Sequence, residues 1–361
     1  MPISLKSLVP ALFGAVLIAA PAAAQTLEQM AGQMVAVGFP GDSADDASVK
    51  ALREEIAAGG IGGVMFLKTN VASLAAVERM NEAFRAASPE LPPLITLDQE
   101  GGAVERLTKA VGFREIPNAR TVAQGNSPEA AGRIYGEMAE KVAALGFTVN
   151  FGPVVDLDLN ADNQIIAKFG RSFSKAPKTV IAYAEAFVEA HRRAGLLTAL
   201  KHFPGHGSST ADSHEGFVDI TRSWQEAELI PYKALIGAGL ADLVMVGHLI
   251  HTDYSELPSS LAPEWITGVL REELGFEGVV ISDDLEMGAI REHFSLEETV
   301  ERAVRAGMDV LLFSNTADTR PTLGAEIRTI LVSEAERDPA FRARIEESYA
   351  RIVKLKAGIG R

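Results

Sequence analysis

The sequence predicts an α/β fold, a TIM-type (β/α)8 barrel forming a single domain, and three observations carry that prediction. Short apolar runs alternate with helical patterns about eight times. Most runs are continuously apolar rather than alternating, as parallel strands covered on both faces require. Four of them lead directly into polar, chemistry-bearing residues, and in barrels such residues gather at the carboxyl ends of the strands. An open doubly wound sheet would satisfy the first two observations. It would also want a glycine-rich fingerprint after its first strand, and Gly38-Phe39-Pro40-Gly41 is not one.

The expected strands, in order, are Met34–Gly38, Gly63–Phe66, Leu94–Leu97, Thr148–Phe151, Leu197–Leu200, Leu243–Val246, Gly278–Ile281 and Asp309–Phe313. Between them one helix starts with Ser127 as N-cap and Pro128 at its first position, and ends at Gly146. A second runs from Pro177 to Ala194, with Val180, Ala184, Phe187 and Val188 on its apolar face. The last starts at Asp338-Pro339 and runs through Val353.

The chain has 361 residues, 47% of them hydrophobic and 23% charged, which is globular composition. No Pro, Gly or Ser-rich linker and no fixed-period repeat divides it, so residues 25–361 read as one domain. Residues 1–24 read as a secretory signal peptide. Lys6 is their only charge, Leu8 to Ala20 is apolar, and Pro21 with Ala22-Ala23-Ala24 supplies a small-residue cleavage site. That apolar run is shorter than the roughly 20 residues of a membrane-spanning helix. A periplasmic or secreted protein is therefore expected, monomeric and without stable membrane insertion after cleavage; a retained N-terminal anchor is the alternative. The chain has no cysteine, which excludes disulfides, thiolate metal sites and a lipidated cysteine. A formal charge of −14 opposes nucleic acid as a partner, since that binding rests on Lys and Arg meeting phosphates.

Lys201-His202-Phe203-Pro204-Gly205-His206-Gly207 follows the fifth expected strand. His202 and His206 are four apart, but Pro204 and Gly205 between them oppose a helical metal face, and no third ligand has suitable spacing. Asp212-Ser213-His214 is more informative. In an extended segment the two side chains point to one side, so Asp212 can fix the imidazole tautomer and raise its basicity. That describes a proton shuttle near neutral pH. Asp283 directly follows the seventh strand, and glycoside hydrolysis wants a carboxylate below the sugar opposite an acid for the leaving oxygen. Asp283 could equally cap the helix that follows. Asp98, Arg106 and Arg171 suit charge-assisted hydrogen bonds to a polyhydroxylated ligand, or each could be half of a surface ion pair.

Taken together, Lys201 to Gly207 with Asp212-Ser213-His214, Asp98-Gln99-Glu100-Gly101-Gly102 with Arg106, and Ser282-Asp283-Asp284-Leu285 resemble the family 3 glycoside hydrolases of the β-N-acetylglucosaminidase group. The resemblance runs in order along nearly the whole chain beyond the signal segment. It implies Asp283 as nucleophile and His214, paired with Asp212 on a mobile loop, as acid/base. It further implies Asp98, Arg106, Arg171, Lys201 and His202 as sugar-binding residues, a somewhat distorted barrel, and neither metal nor other cofactor. Ala103 departs from the pattern, standing where cytoplasmic Gram-negative members typically carry Arg. Leu285-Glu286-Met287-Gly288-Ala289-Ile290 also differs from their usual continuation. The expected reaction is retaining, exo-acting removal of β-linked N-acetylglucosamine from peptidoglycan or muropeptide fragments. A phosphorylase using the same residues and an idle sugar-binding protein are the rivals; sugar-1-phosphate formation would reveal the first, and lack of turnover the second.

Overall fold

The computed structural model describes residues 25–359, so the expected signal peptide lies outside the described residues. Among the described residues ten strands are present: β1 (Val35–Gly38), β2 (Gly63–Phe66), β3 (Leu94–Leu97), β4 (Val149–Asn150), β5 (Leu197–Phe203), β6 (Val218–Asp219), β7 (Leu243–Val246), β8 (Leu249–Ile250), β9 (Val279–Ser282) and β10 (Leu311–Phe313). Eight form one parallel sheet in the order β10-β1-β2-β3-β4-β5-β7-β9. At its ends Ser282 N donates to Val310 O (3.1 Å) and Leu312 N to Ser282 Oγ (2.9 Å), which brings β9 onto β10 and closes the barrel. The strand residues are almost all buried, so the barrel interior is a packed core.

Return helices cover the outside, and local chemistry sets their ends. Ser127 Oγ caps Pro128–Ala144, and Gly146, at φ +87°, takes the chain out in a conformation that favours glycine. Ser295 and Glu298 form a reciprocal capping box at the start of Leu296–Ala306. The expected second helix is Pro177–Arg193, and the last is Pro339–Lys356, capped by Asp338.

Departures from the expected strands have physical causes. Only Val149 and Asn150 of Thr148–Phe151 join the ladder. Thr148 Oγ1 takes the Ile95 N–H (2.7 Å) and Asn150 Oδ1 the Gln99 N–H (2.9 Å), so side chains replace carbonyls in the pairing. Strand β5 runs three residues further than expected and shifts register against β7 between Leu200 and Phe203. Strands β6 and β8, not foreseen, pair with each other beyond the carboxyl ends of β5 and β7.

The opposite end of the barrel is sealed. There Lys356 is buried, and its Nζ donates to Gln33 Oε1 (2.6 Å) and Gly62 O (2.8 Å). Burial without a carboxylate partner pushes its ammonium down to about 7.

Candidate active site

At the carboxyl ends of the strands lies a cavity of about 370 Å3 whose walls include Asp98, Arg106, Arg171, Lys201, His202, His214 and Asp283. Asp212, the remaining residue expected at the site, stands behind His214. The fold thus brings the expected site residues together from five separate segments of the chain.

One wall is a lattice of alternating charge. Lys201, on β5 and 2% exposed, places Nζ 2.7 Å from Asp98 Oδ1 and 2.6 Å from Glu100 Oε1. Arg106 Nη2 donates to the other Asp98 oxygen (2.7 Å), and Arg171 grips both oxygens of Glu100 (2.9 and 2.8 Å). Burial alone would raise the carboxyls, but the cations prevail. Arg171 and Lys201 hold Glu100 down at about 2, and Lys201 with Arg106 keeps Asp98 below the ordinary aspartate value. Asp98 and Arg106 do form an ion pair, but it faces the cavity. The lattice is a rigid, fully charged surface, suited to orienting sugar hydroxyls.

His202 hangs beside this wall. Its Nδ1 donates to Asp156 Oδ2 (2.7 Å), because an ionised carboxylate can only accept, and its Nε2 lies 3.2 Å from Arg171 Nη2. Asp156 also accepts the main-chain N–H of His206 (2.8 Å), whose ring Nδ1 instead meets Ser209 Oγ (2.6 Å).

Asp283 faces the cavity from the end of β9. Its Oδ1 accepts the Asp284 N–H (2.8 Å), and among the described residues no side chain donates to it. Withdrawal from solvent would raise its carboxyl, but His202, His248 and the Asp284 N–H outweigh that and hold it below the usual value. The next helix, Gly288–Arg291, has Met287 at its N-cap, so Asp283 does not cap it. Asp284, by contrast, is pushed up to about 6 by burial, although it accepts from Ser314 N (2.8 Å) and Glu286 N (3.1 Å).

His214 is exposed on the opposite lip, where Asp212 Oδ1 accepts both its backbone N–H (2.9 Å) and its Nδ1–H (2.7 Å). The pairing expected from an extended segment is present, but its geometry is different. Residues 213–215 are a turn, with Glu215 N bonded to Asp212 O (3.0 Å), and the aspartate holds its histidine through an Asx turn. Nδ1 carries the proton, which leaves Nε2 free to exchange one.

Three participants escaped the sequence reading. Asp156 ends an apolar run, Phe151 to Val155, so its place after a strand was a usable signal. His248 follows β7 by two residues, a position of the same kind; it binds Ser260 Oγ (2.7 Å) and Asp284 O (2.9 Å). Glu228 left no such signal. It is buried, accepts from Gly207 N (3.0 Å) and Ser208 Oγ (2.6 Å), and is pushed by burial up to about 7.

Residues 26–355 match the family model for the glycosyl hydrolase family 3 N terminal domain. The chain belongs to glycosyl hydrolase family 3. A β-hexosaminidase of Xylella fastidiosa (strain 9a5c) is 36% identical over 288 residues, which cover 77% of this chain and 82% of the relative. Among solved structures, a family 3 β-N-acetylglucosaminidase from Paenibacillus sp. str. FPU-7 superposes with a TM-score of 0.83 at 31% identity. That match covers 93% of this chain and 63% of the larger Paenibacillus chain. A β-N-acetylhexosaminidase from Beutenbergia cavernae DSM 12333 superposes with a TM-score of 0.81 at 29% identity, covering 93% of this chain and 100% of the other. As a family 3 barrel, the chain is a glycoside hydrolase.

Proposed function

We propose that this family 3 enzyme is a retaining exo-β-N-acetylglucosaminidase that removes terminal β-linked N-acetylglucosamine from muropeptide fragments outside the cytoplasm. The observation that carries the reading is the pairing of an ionised Asp283, free of side-chain donors, with the His214–Asp212 pair on the lip of the same cavity. The relatives named above are β-hexosaminidases and β-N-acetylglucosaminidases, which supports the choice of sugar. A cavity of about 370 Å3, walled at one side by the charged lattice, suits a single terminal sugar and hence exo action.

In the first step an Asp283 oxygen forms a bond to C1 of the sugar as the bond from C1 to the leaving oxygen breaks. His214 Nε2–H gives that oxygen its proton. In the second, His214 takes a proton from water as the water oxygen attacks C1 and the Asp283 carboxylate departs. Two inversions leave the β configuration. Glu100, the other carboxylate of the charged wall, is unsuited to the acid/base role. Its carboxyl is held at about 2 and both its oxygens are engaged by cations.

Turnover of 4-nitrophenyl N-acetylglucosaminide and of an N-acetylglucosaminyl–muramic acid disaccharide, followed by NMR, tests the proposal. The β-anomer should appear first. Initial α-anomer would refute retention, and sugar-1-phosphate in phosphate buffer would make the enzyme a phosphorylase.

A further inference from the structure

The loop that carries His214 leaves β5 at Phe203 and reaches β6 at Val218. Its leading end is fastened by buried groups. Glu228 holds Gly207 and Ser208, and Asn163 Nδ2 donates to His206 O (2.8 Å) and Ser209 Oγ (2.9 Å). Its trailing end is fastened differently, by main-chain contacts at buried Ser213, Gly288 and Ala289 and, beyond them, by an exposed ring stack. Ser213 O accepts the Ala289 N–H (3.2 Å), and a Cβ on Gly288 would stand only 2.7 Å from His214 O, so the two backbones touch. Three residues beyond His214, the ring of Phe217 lies flat on the imidazole of His293, with centroids 3.6 Å apart and planes at 14°.

Gly288, Ala289 and His293 all belong to the segment that opens with Asp283. The loop bearing the proposed acid/base is therefore seated on the continuation of the strand bearing the proposed nucleophile. Phe217 is 41% exposed and His293 is exposed, so neither ring fills the core. What the stack does hold is the trailing end of the loop. Gly216, beside Phe217, has φ +151° and open space where a Cβ would be. Without the stack the backbone there has a ready hinge.

We propose that Phe217 and His293 are positioning residues for proton transfer, whose stacking seats the loop so that His214 faces Asp283 across the sugar. The proposal rests on the reading of His214 as acid/base. Loss of the stack lowers the population of the seated loop and with it the rate of any step that needs the imidazole. Sugar binding at the charged lattice, on another wall of the cavity, is left alone.

Phe217→Ala, His293→Ala and His293→Phe should all fold, since the side chains are exposed; thermal melts verify this. For the disaccharide, whose leaving oxygen needs a proton, kcat/KM should fall about fivefold in both alanine variants, the population factor of an ordinary aromatic stack. For 2,4-dinitrophenyl N-acetylglucosaminide, which leaves unaided, kcat/KM should stay within about twofold, and His293→Phe should restore most of the disaccharide rate. Equal losses on both substrates, no loss on either, or no rescue by His293→Phe would overturn the proposal. His214→Ala, run alongside, separates the failures. If it splits the two substrates and Phe217→Ala does not, the stack has no such role. If His214→Ala shows no split, the acid/base reading falls, and this proposal falls with it.

Discussion

The main-chain N–H of Asp284 donates to the carboxylate of Asp283, yet the two neighbours hold protons oppositely: Asp283 is kept below the ordinary aspartate value and Asp284 is raised to about 6. One faces the cavity as an ionised oxygen base. The other also borders the cavity, but its Oδ1 is engaged by the Ser314 and Glu286 main-chain N–H groups. Asp283→Ala should therefore abolish turnover with the fold intact. A 5-fluoro N-acetylglucosaminyl fluoride should label Asp283, read by peptide mass spectrometry. Label on Asp284, or residual turnover near wild type in Asp283→Ala, would reverse the assignment.

Lys201 is the shared cation of two carboxylates that are otherwise close enough to repel. Lys201→Met leaves Asp98 and Glu100 to Arg106 and Arg171 alone. Breaking a buried ionic group in this way costs on the order of 3–5 kcal/mol. The cost should depend on pH. Glu100 is held at about 2, below its unfolded value of 4.5, so the stabilisation it gives the wild type is complete above pH 4.5 and drains away as pH falls toward 2. The gap between variant and wild type in urea melts should narrow over that interval. A gap that stays constant down to pH 3 would place the loss in packing instead of charge.

Much of the barrel could be read because its signals are local. A run such as Leu94–Leu97 carries its own periodicity, and Asp98 after it occupies a position with one meaning in this fold. The reading weakened where a partner lies far off in sequence. Asp156 acquires its role only when His202, 46 residues later, comes to rest against it. Glu228 looks like any helix-flanking glutamate until Gly207 and Ser208 are folded onto it. The Asp212–His214 contact was legible from spacing, but its geometry was not. Two residues that share a side in a strand also meet in an Asx turn, and only the main-chain bond from His214 to Asp212 distinguishes them.

Export makes a simple prediction. If residues 1–24 are a signal peptide, protein recovered from its native host should begin at Gln25. Intact-mass analysis that found residues 1–24 still attached would contradict cleavage and favour an anchor.

At the sealed end of the barrel, Lys356 is pushed down to about 7 while the unfolded side chain titrates near 10.5. Above pH 10.5 the amine is neutral in both states, and burial carries no charge penalty. As pH falls from 10.5 to 7 the unfolded chain gains a proton that the folded one refuses, so stability declines, and below 7 the penalty is complete. Lys356→Met removes that penalty and also the donors to Gln33 and Gly62. Relative to wild type, the variant should be favoured below pH 7 and lose ground steadily toward pH 10, a swing on the order of 3–5 kcal/mol. Urea melts at pH 6, 8 and 9.5 would show it. A difference independent of pH would mean that Lys356 is charged in the folded protein.

His214 offers the sharpest chemical test, because its two duties fall in different steps. His214→Ala withholds the proton a poor leaving group needs, so kcat/KM for the disaccharide should drop by about 10²–10⁴, the usual worth of general acid–base catalysis. With an acidic phenol as leaving group the first step needs no proton, and kcat/KM should hardly change. The second step still lacks its base, so the glycosyl-enzyme should accumulate and give a burst of phenol. Azide is already an anion at neutral pH and needs no base, so it should restore turnover and yield a β-glycosyl azide. Asp212→Asn should follow the same pattern more mildly. It keeps an acceptor for Nδ1–H but removes the negative charge that faces the ring. An equal loss across leaving groups without azide rescue would show that His214 handles no proton in either step. The proton source would then have to be sought among other groups on the cavity wall, and Glu100, with both oxygens engaged by Arg171 and Lys201, would remain a poor choice.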